Sequence, residues 1–228
     1  MLTSQTQLTF SVTGYRGTGR STLYNELRVN APKRFPGVPF AFLGNPFADL
    51  PNPLLWSKAE LEKPATTRLL ECWARLDQVR SQALQPALKE GRIVITDGFG
   101  LDAFIYATSC VNCDADNDEA EQLHHALVDV RLKQWKIRPP EYLLVHADAD
   151  LMDEAMCRAA PSVRRIHEAE RLKLITHQER MIERYFDPTH GQNPPLYLTL
   201  AADSGPDEMC EQALDRIGRR LNELALAA

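Results

Sequence analysis

The sequence predicts an α/β domain, a parallel sheet with helices on both faces, and three observations carry that prediction. Five short apolar runs, at residues 8–12, 39–43, 91–97, 141–147 and 196–200, alternate with helical stretches, which is the order that builds a parallel sheet. A glycine-rich turn, Gly14-Tyr15-Arg16-Gly17-Thr18-Gly19-Arg20-Ser21-Thr22, joins the first run to a helical segment over 21–29. The third run ends in an acid, Asp97, followed by Gly98.

The first element, Leu8-Thr9-Phe10-Ser11-Val12, is β-branched and aromatic, as strands are. The second, Pro39-Phe40-Ala41-Phe42-Leu43, stops at Gly44-Asn45-Pro46, a turn signal, inside a proline-rich stretch read mostly as loop. Ser57-Lys58-Ala59-Glu60 has the capping-box pattern. The helix it opens runs to about residue 89, with Leu69, Leu70, Trp73, Leu76, Val79, Ala83 and Leu84 at helical spacing and a kink or end expected at Pro86. Gly91-Arg92-Ile93-Val94-Ile95-Thr96-Asp97 is the third strand. Helices are expected over about 118–136, 150–159, 164–184 and 207–226. Residues 141–147 and 196–200 supply the last two strands.

A length of 228 residues suits one domain spanning 1–228. The hydrophobic fraction of 44% and charged fraction of 25% are those of a globular chain. A net charge of −5 gives no bulk attraction to nucleic acid or to a membrane surface. No apolar run approaches the ~20 residues that span a bilayer, and the N-terminus lacks the basic-then-apolar pattern of a signal peptide. Five irregularly spaced cysteines argue for a reducing cytoplasm over a disulfide framework. Cys110 and Cys113 with His124 and His125 form a weak zinc pattern, because adjacent histidines on a helix point in different directions. Asp114, Asp116 and Asp118 begin like a calcium loop. Its sixth position is Glu119 where glycine is needed, and its twelfth is His125 where glutamate is needed, so a solvated acidic loop is the reading.

The chemistry concentrates in the glycine-rich turn. Its spacing is that of a phosphate-binding P-loop with Arg20 in place of the usual lysine. Gly14, Gly17 and Gly19 let backbone N–H groups point at phosphate oxygens, alongside Thr18 and Thr22. The helix N-terminus adds partial positive charge. Arginine is a longer planar fork than lysine, so the exchange is not conservative, yet it neutralises phosphate bidentately. Ser21 sits where a hydroxyl holds Mg²⁺. Asp97 is at a strand's carboxyl end, the side of an open α/β sheet that faces ligand, and suits Mg²⁺ or nucleophile orientation; a plain turn aspartate is the competing reading. Arg158, Arg164 and Arg165 flank the breaker Ala160-Pro161, which suits a lid over about 158–168 closing on phosphates; a solvated face is the competing reading.

With these elements in place, the chain resembles the thymidylate kinase-like branch of P-loop nucleotide kinases from Phe10 to about Leu221. The most specific part is the stretch 85–99, from Gln85-Pro86-Ala87-Leu88 through Asp97-Gly98-Phe99, which looks like the family's K-P-A-L-x-x-G-x-x-V-I-x-D-R-[YFH]. Leu69-Leu70-Glu71-Cys72-Trp73-Ala74-Arg75 resembles the family helix whose aromatic stacks on the base and whose arginine holds the acceptor phosphate. Tyr106 falls on the family's Ala-Tyr-Gln, Pro46 on its Arg-Glu-Pro loop, and Arg158 and Arg165 on its lid. The departures fall at the site: Arg20 for lysine, Arg16 for an acid that binds the acceptor sugar, Gly44-Asn45 for Arg-Glu, Gly98 for arginine and Ala107 for glutamine.

The resemblance implies a P-loop kinase fold with an arginine-bearing lid, ATP and Mg²⁺ as cofactors, and a small-molecule nucleotide as partner. The one protein partner considered is a second copy of the chain. The expected activity is phosphoryl transfer to a nucleoside monophosphate or related acceptor. Arg20, Asp97, Arg158 and Arg165 would act on the phosphates. Arg16, Asn45, Trp73, Arg75 and Tyr106 would face the acceptor. The alternative is a catalytically impaired nucleotide-binding or regulatory protein on the same scaffold.

Overall fold

The five apolar runs become five parallel strands, β1 (Thr9–Gly14), β2 (Phe40–Leu43), β3 (Ile93–Asp97), β4 (Glu141–His146) and β5 (Tyr197–Ala201). They form one sheet of order β2-β3-β1-β4-β5. The computed structural model describes residues 7–14, 18–44, 78–98, 140–159 and 197–226, with 172, 175, 176, 179, 180 and 183. Four helices carry labels here: α1 (Arg20–Arg34), α2 (described over 78–89), α3 (Ala149–Ala159) and α4 (Pro206–Leu226). The capping box at 57–60 and the helix expected over 118–136 lie outside the described residues.

Strand alternation decides which helix each side chain meets. In β3, Ile93 and Ile95 join the core shared with α1 and α4, whereas Val94 packs with Leu84 and Leu88 of α2 on the other face. Phe10 and Val12 of β1, and Leu143 and Val145 of β4, also face α1 and α4. Those helices answer with Leu23, Leu27 and Ala31, and with Met209, Ala213, Leu214 and Ile217, at helical spacing. Both faces of the sheet are therefore covered, as a parallel sheet requires.

Two helices run through prolines, and one of these, Pro86, is where the sequence predicts a kink or an end. The helix expected over 21–29 continues to Arg34 through Pro32, and α2 continues past Pro86 to residue 89. Each proline removes one backbone hydrogen bond, to the carbonyl of Arg28 or Gln82. Pro32, Arg28, Pro86 and Gln82 are all exposed, the side of a helix on which an unpaired carbonyl costs least. On the inner side Ala31, Leu84 and Leu88 remain buried, and that burial outweighs the lost bonds. At the start of α3, the Leu151 N–H donates to Asp148 Oδ1 at 2.8 Å, a side-chain cap.

At the amino end of β4, Glu141 is 4% exposed. Parity with Leu143 and Val145 turns it toward α4, where Arg216 Nε meets Oε1 and Arg220 Nε lies 2.9 Å from Oε2. Arg216 and Arg220 are one helical turn apart, so one buried carboxylate ties α4 to the sheet. Cys210 of α4 is also buried. Burial pushes its thiol up, partly offset by a hydrogen bond from Asn30, so it packs as a protonated group and not as a nucleophile. No helix among the described residues is long and apolar enough to cross a membrane.

Removing the Glu141 charge leaves two arginines facing an uncharged buried group. Glu141→Gln is expected to destabilise the fold by about 3 kcal/mol. Thermal denaturation should then show Tm lowered by roughly 6–12 °C.

Candidate functional site

Asp97 has the parity of Ile93 and Ile95, so it emerges at the carboxyl end of β3 on the α1 face. α1 opens there, because β1 and β3 are adjacent and Val12 lies opposite Asp97. The first two residues of α1 meet the acid. Arg20 Nε lies 3.0 Å from Asp97 Oδ1 as an ion pair, and Ser21 Oγ donates a hydrogen bond to Oδ2 at 3.1 Å. The Asp97 side chain is 5% exposed and that of Arg20 19%. Both carboxylate oxygens are thus engaged, one by charge and one by a hydroxyl, out of bulk water.

The backbone here is shaped by glycine where side chains will not fit. A Cβ on Gly14 would collide with the Val145 carbonyl oxygen of β4, the strand with which β1 pairs at that register. Gly98 has φ +80°, and its N–H donates to the Val12 carbonyl at 2.9 Å, carrying the β1–β3 ladder one residue past Asp97. A side chain rarely adopts that backbone conformation. A glycine after Asp97 therefore suits the backbone at that position. Gly19 caps α1 without a side-chain bond, and the first turn holds no acid, which leaves the positive helix end open to an anion.

Of the residues named from the sequence, the structure brings Arg20, Ser21 and Asp97 together, with Gly14, Thr18 and Gly19 on the adjoining backbone. Thr18 is buried and Thr22 exposed. Arg158 is exposed in the last turn of α3, roughly 15 Å of helix away from the carboxyl end of β4. Among the described residues it is not one of the groups touching Asp97. Arg16, Gly17, Asn45, Trp73, Arg75, Tyr106 and Arg165 lie outside the described residues. So do Cys110, Cys113, His124 and His125. Among the described residues no three His, Cys, Asp or Glu side chains gather as a metal site.

Arg20 pairs with Asp97, because a carboxylate this deeply buried requires a counter-charge, and among the described residues the Arg20 guanidinium reaches it.

Sequence reading missed Arg80. It is 2% exposed, and its Nη2 donates to the carbonyl of Gly44, at the carboxyl end of β2. A signal was present: Arg80 stands four and eight residues before Leu84 and Leu88, so helical spacing sets a charge in a core stripe. The structure thus holds a cation beside Gly44, where the resemblance would place an arginine. An open groove of about 650 Å³ also runs from Asp97 along α1 and the edge strand β2, past Tyr24, Phe42, Arg28 and Arg92. Its size is that of a small-molecule site.

No known protein-family model matches the chain, and no curated protein matches it significantly.

Gly14→Ala should part the β1–β4 pairing at Val145. A loss of at least about 3 kcal/mol is expected, read as a large drop in Tm or as failure to accumulate folded protein.

Proposed function

We propose that this protein is an ATP-dependent phosphotransferase working in the cytoplasm, with a P-loop kinase fold and a nucleoside monophosphate or related small anion as acceptor. The observation that carries the reading is the convergence of Arg20, Ser21 and Asp97 at the carboxyl ends of adjacent parallel strands, directly behind a glycine-rich turn. Phosphoryl transfer needs positioning and charge neutralisation more than covalent chemistry, and these groups supply both.

In this reading the backbone from Gly14 to Thr22 cradles the triphosphate, and the open N-terminus of α1 adds its dipole. Arg20 neutralises the transferred phosphate. Ser21 and Asp97 are hard oxygen donors 3.1 Å apart, a donor set that suits Mg²⁺. The metal, when bound, neutralises charge on the phosphates. An acceptor oxygen attacks the γ-phosphorus while the bond to the ADP oxygen breaks. Asp97 orients the attacking group or the metal. Arg158 and Arg165 belong to a lid that closes over the phosphates and excludes water. The groove beside Asp97 offers the acceptor an aromatic wall in Tyr24 and Phe42 and positive charge in Arg28 and Arg92, together with Arg16, Asn45, Trp73, Arg75 and Tyr106.

One observation favours a second reading, a nucleotide-binding protein without turnover: Arg20 is engaged by the acid that would hold the metal. Arg20→Lys separates the two. In a working site that has accommodated arginine, lysine loses the bidentate contact, and activity stays similar or falls. In a decayed site the same change restores some transfer.

The function is tested by an ATP-consumption screen over nucleosides, nucleoside monophosphates and small phosphorylated metabolites. A thermal shift with ATP–Mg²⁺ and ADP–Mg²⁺ accompanies it. Binding to the native state must raise Tm by mass action, by about 2.7 kcal/mol of stabilisation at a hundredfold excess over Kd. Absence of any shift at millimolar nucleotide removes the reading. Asp97→Asn is expected to keep the fold, by circular dichroism, and to lose turnover by at least about a hundredfold; near-normal turnover would make Asp97 a turn residue only.

A further inference from the structure

Asp97 and Ser21 present the two oxygens best placed to hold a divalent cation, and a cation is already there. Arg20 Nε stands 3.0 Å from Oδ1, and Ser21 Oγ satisfies Oδ2. We propose that Arg20 is a tethered competitor for the metal: it occupies the cation position on Asp97 until nucleotide phosphates draw it away, so that metal and nucleotide enter together. The inference rests on the reading of residues 14–22 as a phosphate cradle.

Three properties make the competition effective. The carboxylate is 5% exposed, so charges near it are poorly screened, and a second cation cannot share it without strong repulsion. Guanidinium stays protonated at any working pH, so the competing charge is present whenever the metal is. Arg20 is also the first residue of α1, directly after Gly19. Its side chain therefore reaches from the helix N-terminus, where phosphate would lie, to the acid. Phosphate oxygens offer the fork a bidentate partner in exchange for one carboxylate oxygen. Release of Asp97 by phosphate and neutralisation of phosphate by Arg20 are then the same movement. By linkage, each ligand raises the affinity of the other by the same factor.

The test uses the full chain with Mn²⁺ as probe, counted by electron paramagnetic resonance, with and without ADP. Wild type should bind Mn²⁺ alone weakly. Arg20→Gln, or Arg20→Met where the first variant folds poorly by circular dichroism, should bind Mn²⁺ alone about tenfold more tightly. ADP should then add less to the Mn²⁺ affinity than it does in wild type. Arg20→Lys keeps a cation and should stay within about threefold of wild type. Equal Mn²⁺ affinity in wild type and the uncharged variants overturns the proposal. So does an equal gain in Arg20→Lys, or no Mn²⁺ binding in any form. A gain in the uncharged variants with no ADP binding anywhere removes the nucleotide reading, while competition for Asp97 stands.

Discussion

A carboxylate taken out of water must be answered by positive charge or hydrogen bonds, and two such carboxylates on one face of the sheet organise this structure. Asp97 ends β3 and Glu141 begins β4, each with the parity that turns it toward α1 and α4. The helix nearest each one provides the answer. α1 offers Arg20 and Ser21 to Asp97, and α4 offers Arg216 and Arg220 to Glu141. The same requirement thus fixes both helices against the sheet, at opposite ends of its strands.

The two clusters differ in what they leave adjustable. Glu141 is held by two arginines a turn apart on one helix, with Arg220 also paired to Glu223, an arrangement that locks a helix in place. Asp97 is held by one arginine at a helix's first residue, beside a glycine-shaped backbone and an uncapped helix end. A clamp at the amino ends and an exchangeable pair at the carboxyl ends match the general division of an open α/β sheet into a structural side and a ligand side.

The core explains why that division holds. Gly14 and Val145 are in such close approach that no side chain fits between β1 and β4 at that register. Leu23, Leu27 and Ala31 seat α1 on Phe10, Val12 and Ile95. The position of Ser21 and Arg20 relative to Asp97 is therefore set by packing several residues away as well as by the pair itself. A site built on such rigid elements keeps its geometry while one side chain changes partner.

The sequence alone determined the strand–helix alternation, because hydrophobic period and turn residues are local signals. It also singled out the glycine-rich turn, Ser21 and Asp97, because spacing and strand context are written along the chain. It did not show that α1 continues through Pro32, or that the helix expected to reach about residue 89 runs on at Pro86, where a kink or end is expected, since that depends on burial of Ala31, Leu84 and Leu88 outweighing lost backbone bonds. It put Arg80 in a stripe with Leu84 and Leu88 without revealing that the Gly44 carbonyl receives it. And it could not pair Arg20 with Asp97, or Glu141 with Arg216 and Arg220, residues far apart along the chain. Pairing across the chain depends on strand order and on which face each residue takes, and both arise only when the sheet closes.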